Sequence, residues 1–168
     1  IALLDPDDFW LPEHLEKAVS KFKSDEDLYF YSSYAFIFYG QNKEVIASIE
    51  GYKDWEILAF PYILSLKNAI PASSSVLRAT VFNSVLLFDE HNDIQHAEDY
   101  DLWIRIIEKK LKAHINTEPT IYYRKHVNGA TSNYNLMTKS IRIKLGDQKV
   151  ATAYSWDNLF NIKSFFNR

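Results

Sequence analysis

The stretch IALLDPDDFW, residues 1–10, sets four apolar residues ahead of three carboxylates, Asp5, Asp7 and Asp8, and closes on two aromatics. A short apolar run bounded by Asp and Pro predicts a buried strand over 1–4. Side chains two apart in extended backbone point to the same side, so Asp5 and Asp7 converge while Asp8 turns away or caps the next element. Hard oxygen donors in such a cluster suit Mg²⁺ or Mn²⁺, which commonly bind through one or two carboxylates together with substrate phosphates. The same DPDD also reads as a turn before a helix, because Pro and Asp favour turns and Asp caps helices.

Outward from that stretch, elements alternate with short connections, the pattern of an α/β layered domain. Pro12 suits the first turn of a helix over 12–23, with Leu15, Val19 and Phe22 on one stripe. The Tyr- and Phe-rich run 28–39 predicts a strand, and GQN turns it into a second strand over 44–49, a hairpin. A helix over 54–66 is redirected at Pro61, and AIPASSSVL runs extended into a short helix over 79–86. AEDYDLWIRIIEKKL is the clearest helix, followed by two strand-like pieces, KAHIN and TIYYRKH, and a polar turn, VNGATSN. The tail over 134–160 reads as helical and amphipathic, and the apolar residues of WDNLFNIKSFF suit packing, a partner or a membrane surface.

Composition narrows the function classes. The chain has 168 residues, 47% hydrophobic and 24% charged, enough for one domain that buries most of its unfolded surface. It has no cysteine, which excludes a disulfide framework and thiolate metal sites and fits a reducing compartment. A net charge of -3 gives no electrostatic reason to expect nucleic acid. The longest aromatic-rich apolar stretch, LYFYSSYAFIFY, is too short for a membrane helix. The chain begins at Ile1, already inside an apolar run, and so reads as a fragment.

Three enzymatic readings of the acidic cluster compete. A calcium loop starting at Asp5 needs Gly at its sixth position, where Trp10 stands, and fails. A phosphatase of the haloacid-dehalogenase type also places Asp-x-Asp after an apolar strand, one Asp as nucleophile, but normally continues with Gly-Thr, where this chain has DFW. A sugar-nucleotide transferase demands a second carboxylate far along the chain as general base. HAEDYDLWIRI supplies Glu98 and Asp99 in the first turn of a helix, where acids also simply favour the positive end of the helix dipole.

From IALLDPDDFWLPEHLEKAV (1–19) through SSSVLRATVFNSVLLFDE (73–90), AEDYDLWIRI (97–106) and EPTIYYRKHVNGATS (118–132), the chain resembles the second half of a glycosyltransferase family 2 protein of the GT-A fold. The resemblance covers residues 1–132 and leaves 133–168 as a C-terminal helical extension. It implies an α/β fold: part of a GT-A-type, Rossmann-like mixed sheet flanked by helices, with a helical tail. It implies that Asp5, Asp7 and Asp8 bind a divalent cation, Mn²⁺ or Mg²⁺, and the diphosphate-ribose part of a nucleotide sugar, with Asp7 and Asp5 as metal ligands. Asp99 corresponds to the catalytic base, with Glu98 beside it, and His126 to a contact of the metal or diphosphate.

Arg124 shares a strand face with His126 and is a further candidate for the substrate. Ser74 falls where the family lines its cleft, and Trp103, one helical turn from Asp99, could border an acceptor pocket. Leu86 and Leu87 stand where relatives commonly have small residues, so the acceptor site is expected to differ in shape. The βαβ half that cradles the nucleotide base in the family has no counterpart here, so the chain is expected to be inactive alone. The expected activity is inverting, metal-dependent transfer from a nucleotide-diphosphate sugar to a saccharide or lipid-linked acceptor in bacterial surface polysaccharide synthesis. The expected location is cytoplasmic, including the inner face of the membrane, with peripheral membrane association and no nucleic acid. A phosphohydrolase and a non-catalytic interaction module remain as alternatives.

Overall fold

The computed structural model describes residues 1–40, 45–65, 67–90 and 97–126. The tail over 133–168 lies outside the described residues, as do the VNGATSN turn and residues 91–96.

The fold is a mixed sheet of five strands flanked by helices, an α/β architecture as expected. Its axis is β2 (Leu28–Tyr39), the run LYFYSSYAFIFY. One edge of β2 pairs in parallel along β5 (Lys112–Lys125), while the other takes β4 (Val76–Leu77) and then β3 (Ile46–Glu50), both antiparallel. The short β1 (Phe9–Trp10) closes the far side by pairing antiparallel with β5, giving the order β1-β5-β2-β3. A strand flanked on both edges and covered on both faces needs continuous rather than alternating apolarity.

Successive residues of β2 feed different layers. Phe30 enters the main core with Leu102, Trp103 and Ile106 of α4 (Glu98–Glu108), its ring stacked on Trp103 at 4.5 Å between centroids. Tyr31 faces the other way, against Ala18 of α1 (His14–Ser24). The face of α1 that is buried is His14 and Ala18, with Phe22 partly so, whereas Leu15 and Val19 are exposed. The expected stripe is thus rotated, because the helix packs over Tyr31, where a small Ala18 allows close approach.

Other boundaries move for local reasons. Residues 1–4 make one bridge, Ala2 to Val76, with Ile1 and Leu3 bonding residues 77 and 75, instead of a full strand. The helix over 54–66 is α2 (Asp54–Leu58), a cis Phe60–Pro61 bond and a 3₁₀ turn over Tyr62–Ser65, so Pro61 does redirect it. The stretch expected to run extended from 69 contains a 3₁₀ turn, Ala72–Ser74, before β4, and the short helix expected over 79–86 is a 3₁₀ turn, Ala79–Val81, running into α3 (Phe82–Val85). KAHIN and TIYYRKH belong to one strand, β5, whose register slips where Asn116 pairs with Ser33 and Pro119 with Tyr34. Proline has no amide to give the ladder, and the irregularity accommodates it.

Candidate active site

Antiparallel pairing of Phe9 with Tyr122 and Trp10 with Ile121 carries the acidic loop backwards along the end of β5. Asp7 thereby meets the strand face of Arg124 and His126. His126 Nε2 lies 2.7 Å from Asp7 Oδ2, and Arg124 Nε donates to the Asp7 carbonyl at 3.2 Å. The Arg124 guanidinium also lies over the rings of Phe38 and Phe9, at 5.0 and 5.8 Å. His126 and Asp7 both remain accessible, so this pair can take a ligand from solvent.

Asp8 points inward, the first of the two roles its position allowed. It is 5% exposed, and both oxygens are occupied: the Ser73 hydroxyl donates to Oδ2 at 2.5 Å and the Arg124 amide to Oδ1 at 2.8 Å. Burial pushes its carboxyl up to about 6, against the lowering effect of those two bonds. It therefore faces protein donors, not a substrate. Asp5 is held by its backbone, whose amide donates to Ser73 Oγ at 3.0 Å, and its carboxyl is raised by desolvation and by the charge of Asp7.

Asp99 lies in the first turn of α4. Its Oδ1 accepts the Tyr100 amide at 2.6 Å. Desolvation raises its carboxyl to about 6, with further upward pushes from Glu98 and from Asp5, while the Tyr100 bond opposes them. The charge of Glu98 raises the Asp5 carboxyl and that of Asp5 raises Asp99, so the α4 N-terminus lies within electrostatic reach of the acidic loop. Glu98 is exposed and Asp99 partly buried, the difference that adjacent helical positions impose.

Two expected residues lie elsewhere. Ser74 is fully buried and bonds Ser32 Oγ at 2.6 Å and the Pro71 carbonyl at 2.8 Å, so the serine that meets the acidic loop is Ser73. The 3₁₀ turn over Ala72–Ser74 decides which hydroxyl faces where, and a run of three identical residues hides that choice. Trp103 is fully buried against Phe30, in the core rather than beside an acceptor, with no partner for its Nε1 among the described residues. Trp10, not singled out from sequence, anchors the site by donating Nε1 to the Ser73 carbonyl at 2.7 Å. Leu86 and Leu87 are 78% and 68% exposed and fill no cavity, and Leu86 has φ 61. Arg105, paired with Asp101 at 2.8 Å, holds this bend by donating to the carbonyls of Val85 and Leu87.

Among the described residues no group of three or more His, Asp or Glu side chains is arranged to hold a metal ion, so Asp5 does not join Asp7 and His126 in a closed ligand set. One accessible carboxylate and one imidazole still match an ion that takes its remaining oxygens from a diphosphate. No helix of the described residues is long and apolar enough to cross a membrane.

No family model matches the chain. Over 128 residues, 74% of its length, the chain is 29% identical to a protein of Methanocaldococcus jannaschii named an uncharacterized glycosyltransferase, and it spans 41% of that protein's length.

Proposed function

We propose that this chain forms the catalytic and acceptor-side part of a family 2, GT-A-type glycosyltransferase, which moves a sugar from a nucleoside diphosphate to an acceptor hydroxyl with inversion. The observation that carries the reading is an accessible Asp7–His126 couple in the same acidic loop as Asp5, whose charge reaches a desolvated Asp99. Asp7 and His126 would hold Mn²⁺ or Mg²⁺, and a divalent cation there supplies charge that neutralises the departing diphosphate. Arg124, beside Asp7, adds a fixed positive group to the same place. Asp99 takes the proton of the attacking hydroxyl, and a carboxyl raised to about 6 is a stronger base than an ordinary aspartate while still ionised at neutral pH. A single displacement with the base opposite the leaving group gives inversion. The saccharide or lipid-linked acceptor belongs to surface polysaccharide assembly on the cytoplasmic side of the membrane.

The test is a transfer assay on the whole protein that carries this chain, with UDP-, GDP- and dTDP-sugars, Mn²⁺ or Mg²⁺, and simple saccharide acceptors. The expected result is nucleotide release that needs both cation and acceptor, with an anomerically inverted product. Release of inorganic phosphate from small phosphoesters, with no sugar transfer, would replace this reading by the phosphohydrolase one.

A further inference from the structure

Asp8 and Ser73 lie next to the proposed chemistry without taking part in it, and their bonds join three remote segments. The Ser73 hydroxyl donates to Asp8 Oδ2 at 2.5 Å and accepts the Asp5 amide at 3.0 Å, and it also lowers the Asp5 carboxyl. Asp8 Oδ1 takes the Arg124 amide at 2.8 Å. The 3₁₀ turn over Ala72–Ser74, the acidic loop and the end of β5 are therefore tied at a single buried carboxylate. Asp7 stands between the two loop residues so held, with its own side chain outward, and His126 stands two residues beyond the strand amide that Asp8 grips.

We propose that Asp8 and Ser73 are positioning residues, whose buried bond, continued to the Arg124 amide, sets the loop against β5 so that Asp7 and His126 converge on one ligand. This deepens the glycosyl-transfer reading and rests on it only for the identity of that ligand, a divalent cation. Residues that orient metal ligands from behind typically change metal affinity by roughly 10–100-fold when removed.

The experiment compares Ser73→Ala, Ser73→Thr and Asp8→Asn with the parent by two readouts: Mn²⁺ affinity, from the paramagnetic resonance signal of free Mn²⁺, and hydrogen exchange of the Arg124 amide. Ser73→Thr keeps the hydroxyl. Asp8→Asn leaves one of the two donors without an acceptor in either amide orientation, and serves where Ser73→Ala does not fold. Mn²⁺ binding weakened about tenfold or more in Ser73→Ala and Asp8→Asn, faster Arg124 exchange, and recovery of both in Ser73→Thr support the proposal. Parent-like Mn²⁺ affinity in a folded Ser73→Ala overturns it. A parent that binds no Mn²⁺ removes the cation reading alone. Positioning then stands if Asp7→Asn shifts the His126 ring resonances in the parent but not in Ser73→Ala, and falls if it shifts them equally in both.

Discussion

His126 Nε2 and Asp7 Oδ2 lie 2.7 Å apart although 119 residues separate them in the chain. What joins them is β1, two residues long, which sets the acidic loop against the end of β5. Exposed pairs of this kind add little stability, commonly about 0–1 kcal/mol, so it is the strand pairing and not the Asp7–His126 contact that holds the loop in place.

Asp7→Asn and His126→Ala should therefore separate function from stability. Each is expected to lower Mn²⁺-dependent turnover by roughly tenfold or more, with midpoints of denaturant unfolding close to the parent. A carboxamide keeps the shape of Asp7 but not the anionic donor. Unchanged turnover of Asp7→Asn across a Mn²⁺ titration would remove it from the ligand set.

Trp103 is the opposite case. It is fully buried and stacked on Phe30, so Trp103→Ala should cost about 3–5 kcal/mol in unfolding free energy, and Trp103→Phe clearly less. Acceptor KM should be unchanged in Trp103→Phe. A large rise in KM with little loss of stability would restore the acceptor role that its helical spacing from Asp99 suggested.

Why the sequence singled out Asp7 and Asp99 yet passed over Ser73 lies in how each is encoded. Asp7 and His126 flank paired strands whose periodicity carries past their ends: i and i+2 share a face, and Arg124 in β5 and His126 just beyond it both reach Asp7. Asp99 and Glu98 are sorted by helical rotation, equally readable. The buried ends of Asp8 and Ser73 depend on a 3₁₀ turn inside SSS, where no residue differs from its neighbour. For α1 the apolar pattern misled because the packing partner is Tyr31, and a buried His14 bonded to Thr120, with Ala18, takes the place of Leu15 and Val19 beside Phe22. Nor does an apolar count locate the junction of two strand-like pieces into β5, which rests on parallel pairing with β2.

His14 makes a pH prediction. Desolvation lowers its imidazole to about 4, and its Nδ1 lies 2.7 Å from Thr120 Oγ1, with Nε2 unpartnered among the described residues. The folded state thus binds fewer protons than the unfolded state between pH 6.5 and 4. Stability from this group is complete above about 6.5 and is lost as pH falls through that window, by up to about 3 kcal/mol. Asp8 and Asp99, raised to about 6, work the other way and lose stability as pH rises from about 4 to 6. Chemical unfolding of the parent and His14→Gln at about pH 7 and about pH 4.5 isolates the contribution: the variant should lose less on acidification. Equal acid losses in the two proteins would mean that His14 is not buried neutral.

Asp99 as the base, with Glu98 not, is the prediction with the most consequences. Helical geometry turns adjacent side chains about 100° apart, and here Asp99 is partly buried while Glu98 is exposed. Asp99→Asn should lower kcat by roughly 100-fold or more with donor affinity nearly retained, because the loss falls on proton transfer in the transition state. Glu98→Gln removes a negative charge that raises Asp99, so the Asp99 carboxyl should titrate lower in that variant, at modest cost in kcat. In the parent, kcat should rise with pH through about 6 as Asp99 ionises, and this acidic limb should move to lower pH in Glu98→Gln. Should Glu98→Gln cost more than Asp99→Asn, or the limb stay in place when the Glu98 charge is gone, the base lies elsewhere. A fall in donor affinity matching the fall in turnover for Asp99→Asn would instead place this carboxylate on the donor side of the cleft.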